Sequence, residues 1–159
     1  MHIALLAISL LCSAPPADLP VASLRVSGGQ SSFIVKVDEA ADSGYQISID
    51  CIEGCEKAIH YRDTSGDTPL GLFSRDADGL VFSVWSGGSA YRVLVWALSD
   101  DGVRKVSELS SRARPDFMSS SDGNPMIQTY EGNSDTAPLR RVRWTFVDGH
   151  FLRSASKVR

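Results

Sequence analysis

Few side chains in this 159-residue chain are of types that do chemistry at short range, and the tightest grouping is Cys51-Ile52-Glu53-Gly54-Cys55. Three residues between two cysteines suit a disulfide across a hairpin loop, with Gly54 supplying the positive φ such a loop needs. A bridge over so short a loop gains only about 2 kcal/mol from loop-closure entropy, enough to pin one hairpin. A thioredoxin-type redox pair has two intervening residues and a helix start, whereas this pair sits in a strand context. A zinc site needs further ligands. Beyond the amino terminus only His60 and His150 remain, at no recognised spacing, so no metal and no other cofactor is expected.

Catalysis has little to draw on. No Gly-x-Ser-x-Gly elbow occurs, and Gly87-Gly88-Ser89-Ala90 lies between two strands rather than between a strand and a helix. His60 sits opposite the apolar Ile59 and Tyr61 and reads as an exposed strand residue, while His150 flanks the Asp148-Gly149 turn. Nothing selects a pair of carboxylates for acid–base work, so no catalytic residue is assigned. The oxygen-rich stretch 63–79 would suit calcium, which takes about six to eight oxygens, but it lacks the later ligands of a full loop. Asp76-Ala77-Asp78-Gly79 is therefore read as a turn entering a strand at Leu80.

Charge gives the clearest pointer to a partner. Residues 1–80 carry 5 basic and 11 acidic groups, net -6, whereas residues 81–159 carry 11 basic and 8 acidic, net +3. From Leu139 onward Arg140, Arg141, Arg143, Arg153, Lys157 and Arg159 face a single acid, Asp148. Arg141 and Arg143 alternate with Val142 and Trp144, which projects them from the solvent face of a strand as a cationic stripe. Arg140, Arg141, Arg143 and Arg153 are the expected partner-binding residues, suited to an acidic protein surface, an anionic glycan or lipid heads. The same charges also fit a solvated edge that discourages strand aggregation.

The elements that must position these groups are strands. Tyr45, Ile47, Ile49 and Cys51 alternate along one face, as do Phe33, Val35 and Val37, and clusters of Gly, Ser, Asp and Asn interrupt the pattern every eight to twelve residues or so. Residues 80–85 and 91–98 are apolar on both faces and are joined by a Gly-rich loop, so this hairpin is expected at the centre. Asp148-Gly149 is the favoured two-residue type I′ turn, setting Val147 against His150 and Phe146 against Phe151. Strands are further expected at 21–26, 58–62, 103–109, 126–130, 140–147 and 150–153, with irregular stretches at 63–79, 115–124 and 131–138. No helix is expected. The fold class is all-β, with antiparallel sheets from consecutive hairpins in an open sandwich or partial propeller of about ten strands.

Residues 79–154 resemble the FG-GAP, or integrin-type, β-propeller repeat: a Trp-containing strand, a tight turn, a strand, then an Asp-Gly loop and an apolar strand. The loop is Met118-Ser119-Ser120-Ser121-Asp122-Gly123-Asn124-Pro125-Met126-Ile127, and Arg143-Trp144-Thr145-Phe146-Val147-Asp148-Gly149-His150-Phe151 looks like the strand-turn-strand that ends such repeats. Aligned on Asp122-Gly123, it has Met118, Ser120 and Met126 where the family has oxygen ligands, so calcium binding is not implied. A complete propeller needs at least about four four-stranded blades, more than this chain holds.

Composition supports one globular domain: 43% hydrophobic and 22% charged residues exclude a disordered tail. A net charge of -3 gives no general attraction to nucleic acid. The apolar run from Ile3 to Leu11 is too short to span a membrane and has the size of a signal-peptide core, with cutting expected near Ala17 and a single β-rich domain at 18–159. Leu11 before Cys12 argues against a lipoprotein signal. Loss of Cys12 with the leader leaves the even pair Cys51 and Cys55, which suits an oxidising, periplasmic or secreted location. The expected function is an exported, non-enzymatic binding module, in its concrete form a periplasmic inhibitor or immunity-type protein that recognises another protein with an acidic surface. A small cell-envelope hydrolase and a glycan-binding surface module are the open alternatives. Neither nucleic-acid binding nor a transmembrane segment is expected.

Overall fold

The computed structural model describes residues 21–42, 44–132 and 138–155, so the expected leader 1–17, with Cys12, and the tail charges Lys157 and Arg159 lie outside the described residues. The described chain is all-β, with twelve strands in three four-stranded antiparallel sheets, none closed into a barrel. The first sheet holds β1 (Ala22–Gly28), β2 (Ser31–Glu39), β3 (Tyr45–Glu53) and β4 (His60–Ser65). The second holds β5 (Thr68–Arg75), β6 (Leu80–Gly87), β7 (Ala90–Ser99) and β8 (Gly102–Ser111). The third holds β9 (Asp116–Ser119), β10 (Pro125–Glu131), β11 (Arg140–Val147) and β12 (His150–Ala155). Each is a plain meander, because strands that are neighbours in sequence pair with each other.

The second sheet is the middle layer. On β6 and β7, Val81, Trp85, Leu94, Trp96 and Leu98 pack with Val26, Phe33, Val35, Val37, Ile47 and Ile49 of the first sheet. The alternate residues Leu80, Phe82, Val93 and Val95 pack the other way, with Ile127, Phe117, Trp144, Phe146 and Phe151 of the third. This is why the hairpin is apolar on both faces: each face has a sheet to bury it. Polar links set the layers against one another. Asp100 Oδ1 accepts the Gln30 N–H and the Ser31 hydroxyl, both at 2.8 Å, tying the β1–β2 turn to the β7–β8 turn. Arg75 reaches the Ser119 hydroxyl and the Gly123 carbonyl of the third sheet.

The closing hairpin forms as its turn residues dictate. Asp148 and Gly149 take φ of 50° and 81°, with Val147 opposite His150 and Phe146 opposite Phe151, whose ring centroids are 5.1 Å apart. Two strands escape the period-two reading. β5 occupies 68–75 within 63–79, a stretch expected to be irregular, because Pro69 and Gly71 interrupt its pattern, and β4 runs into the same stretch as far as Ser65. β5 is an edge strand with a register shift between those two residues, a place where the missing proline N–H costs little. β9 occupies 116–119 inside the stretch expected to be irregular at 115–124, and its four residues are too few to display a period. The count is therefore twelve strands rather than about ten.

Cys51 and Cys55 are joined, with Cα atoms 6.3 Å apart. The connection is longer than the three-residue loop expected. β3 runs on to Glu53 and β4 begins at His60, so the bridge ties the end of β3 to the connecting segment, with Gly54 at φ 75° and the Cys51 N–H donating to the Ile59 carbonyl at 3.0 Å. Protein recovered from an oxidising compartment and alkylated without reductant should show no labelled thiol at either position by mass spectrometry. Two labelled thiols there would contradict the bridge.

Candidate functional site

The carboxy-terminal arginines fall on two faces of the third sheet. On β11, Val142 is fully buried and Trp144 packs toward the second sheet, so Arg141 and Arg143 point to the opposite, outer face, where both are exposed. Arg141 stands across the ladder from Tyr130, and Arg143 stands between Gln128 of β10 and Ser154 of β12. Neither forms an ion pair among the described residues. The same face carries the exposed Met118 and Leu152. Gln128 is held there by Asp116 Oδ2 at 3.0 Å and the Tyr130 hydroxyl at 2.9 Å.

Arg140 and Arg153 lie on the inner side of the sheet. Arg140 is opposite Glu131 and Arg153 opposite Trp144 in the ladder. Both guanidinium groups meet the Glu131 carboxylate, Arg153 at 2.7–2.8 Å and Arg140 at 2.5 Å. The Arg153 guanidinium carbon lies 5.6 Å from the Trp144 ring centroid, a cation–π distance. The expected set of four arginines thus splits into an outer pair with no ion pair among the described residues and an inner pair clamped on one acid.

Beside that clamp lies a cleft of about 460 Å³ between the second and third sheets, with Glu108, Ser110, Arg112, Tyr130, Glu131 and Trp144 in its wall. Its frame is bolted by hydrogen bonds: the Arg112 N–H donates to the Tyr130 carbonyl at 2.7 Å, and the Tyr130 N–H donates to the Ser111 hydroxyl oxygen at 2.9 Å. The Trp144 indole N–H donates to Thr129 Oγ1 at 2.9 Å, which fixes the ring.

Two further charge clusters are structural in geometry. On the outer face of the first sheet, Asp50 Oδ1 meets His60 Nδ1 and Arg62 Nη1, each at 2.8 Å. Burial pushes the Asp50 carboxyl up, but the hydrogen bonds from Arg62 and His60 outweigh it and hold it below its ordinary value. Where the first and second sheets meet, Lys105 bridges Asp63 at 3.3 Å and Glu108 at 2.8 Å, and Arg92 bridges Asp67 and Glu108. The hydrogen bond from Lys105 holds the Glu108 carboxyl below its ordinary value against the opposing effect of burial. Burial draws the Lys105 ammonium down, and its acidic neighbours more than reverse this.

His60 is an exposed strand residue, in keeping with its alternation, and His150 sits at the last turn. Asp76–Asp78 form a 3-10 turn closed by Gly79, with Asp78 paired to Arg75 Nε at 2.8 Å and Asp76 accepting the Ser74 hydroxyl at 2.7 Å. Among the described residues, no three His, Cys, Asp or Glu side chains gather to hold a metal ion, and no helix is long and apolar enough to cross a membrane. Compared with known protein families, with characterised proteins and with solved structures, the chain matches none.

Proposed function

We propose that this chain is an exported, non-enzymatic binding module that recognises an acidic protein surface through the outer face of its third sheet, in the manner of a periplasmic inhibitor or immunity-type protein. The observation that carries the reading is the pair Arg141 and Arg143, side by side on an open sheet face with no ion pair among the described residues. Arginine, methionine and tyrosine are the residue types enriched at protein interfaces, and here Met118, Tyr130 and Leu152 share the arginines' face. The bridged Cys51 and Cys55 support export, because disulfides persist in oxidising compartments.

Replacing both arginines, Arg141→Glu with Arg143→Glu, should weaken capture of the partner from a cell-envelope extract by at least about tenfold, because a like-charge juxtaposition opposes docking. The melting curve should stay close to wild type, since neither side chain enters the core. Capture by the unaltered protein should also fall as salt rises, given a screening length of about 8 Å at physiological ionic strength. Capture that persists in the double variant and in high salt would rule out this face.

A further inference from the structure

The outer face of the third sheet is banded across its strands. The registers place Met118 of β9 beside Met126 of β10, Met126 beside Thr145 of β11, and Thr145 beside Leu152 of β12, a mainly apolar row crossing all four strands. Its two ends stand open, Met118 at 37% and Leu152 at 57% exposure. Two residues further along each strand comes a polar row of Asp116, Gln128, Arg143 and Ser154, with Arg141 beyond it. We infer that the partner docks an amphipathic α-helix here, with its apolar side along the first row and its carboxylates over Arg143 and Arg141. This rests on the proposed reading of the face and adds the form of the partner's contact.

The dimensions fit a helix. Neighbouring strands lie about 4.8 Å apart, so the row spans about 14 Å, the length of about ten helical residues. The two rows are about 7 Å apart, within the roughly 10 Å width of a helix, so a single helix covers both. An extended segment laid on this face would bury its own N–H and C=O groups without partners, because the four strands already bond one another. A helix satisfies those groups internally. A partner sheet would have to match both bands on several strands at once, whereas a helix carries them as two adjacent stripes. Charge sets where the carboxylates lie. Asp116 accepts hydrogen bonds from Gln128 and the Tyr130 hydroxyl and keeps the β9 end of the polar row acidic. Arg143 and Arg141, without an ion pair among the described residues, make the β11 end cationic, so the acids belong on the helix flank above β11.

A labelled peptide tests this form of contact. The probe is an acetylated, amidated, alanine-based helix of about twenty residues, long enough to be helical alone, with leucines spaced three and four apart and glutamates beside them on one flank. Its fluorescence anisotropy should rise saturably with protein, with a dissociation constant below about 1 mM. A scrambled peptide of the same composition, and one with lysine for glutamate, should stay flat. Leu152→Ser and Met118→Ser should each weaken binding several-fold through lost apolar burial and leave the melting curve unchanged, since both side chains are exposed. The Arg141→Glu and Arg143→Glu double variant should weaken it at least about tenfold. Equimolar phosphatidylcholine and phosphatidylglycerol vesicles should not carry the protein down on sedimentation, and the protein alone should sediment at one rate at every concentration. The inference is overturned by a flat titration, by equal binding of the scrambled peptide, by unchanged binding in both serine variants, by vesicle binding, or by self-association that the double variant abolishes. Its failure is separable from failure of the proposed function. Loss of partner capture in the double variant with a flat peptide titration keeps the acidic-protein face and removes the helix, whereas capture that persists in the double variant removes the face itself.

Discussion

Trp96→Ala is expected to lower the unfolding free energy by about 4 kcal/mol, the scale of a large aromatic deleted from a core that cannot collapse around the void. That is a large fraction of the roughly 5–15 kcal/mol by which a domain is stable. Trp96 is fully buried between the first and second sheets, its ring edge-to-face with Tyr61 at a centroid distance of 6.3 Å. Its indole N–H, however, has no hydrogen-bond acceptor among the described residues, whereas the equally buried Trp85 donates to the Ser83 hydroxyl at 2.7 Å. The two phenylalanine variants should therefore differ. Trp96→Phe removes an unpaired buried donor along with some apolar area and should cost about 1 kcal/mol, since an unsatisfied buried group carries a penalty of about 1–3 kcal/mol in the parent. Trp85→Phe removes a satisfied donor and leaves Ser83, 1% exposed, without that partner, so it should cost more. Urea melts followed by far-UV circular dichroism measure both, and the reverse order would mean that the Trp96 N–H has a partner after all.

The same two tryptophans show what a linear reading of the chain can reach. Their strands alternate apolar residues on both faces, and that pattern alone places β6 and β7 in a middle layer. The faultless alternation of β3 and the Asp148-Gly149 turn are legible for the same reason: the signal is local, with a period of two or a dipeptide that tolerates positive φ. β5 is not legible, because Pro69 and Gly71 read as breakers until an edge position and a register shift accommodate them. At the candidate site, the outward projection of Arg141 and Arg143 follows from Val142 and Trp144 beside them. The capture of Arg140 and Arg153 by Glu131 does not, since it depends on the β10–β11 and β11–β12 registers bringing three separated residues to one place. The cleft is further still from the sequence, being a product of how two sheets pack.

Gly79→Ala should be the next most damaging change, at about 3 kcal/mol, and a second glycine isolates the cause. Gly79 ends the 3-10 turn at φ 60° and ψ 30°, and its carbonyl accepts the Leu98 N–H at 2.7 Å. A Cβ at this position would stand 2.5 Å from the Leu98 carbonyl oxygen and 3.6 Å from the Gly28 Cα, where β1, the turn and β7 converge. The left-handed backbone alone costs an L-residue roughly 1–2 kcal/mol. Relieving the clash must then move backbone rather than a side chain and loosen the hydrogen bond to Leu98. Gly88 has almost the same dihedral, φ 59°, but a Cβ there meets nothing within 4 Å. Gly88→Ala therefore carries the dihedral cost without the collision and should destabilise by only about 1 kcal/mol. The gap between the two variants in paired denaturant melts measures the close approach itself. Equal losses would mean that the turn entering β6 sits farther from the Leu98 carbonyl of β7 than the geometry places it, and the path of that turn beside β7 would have to be redrawn.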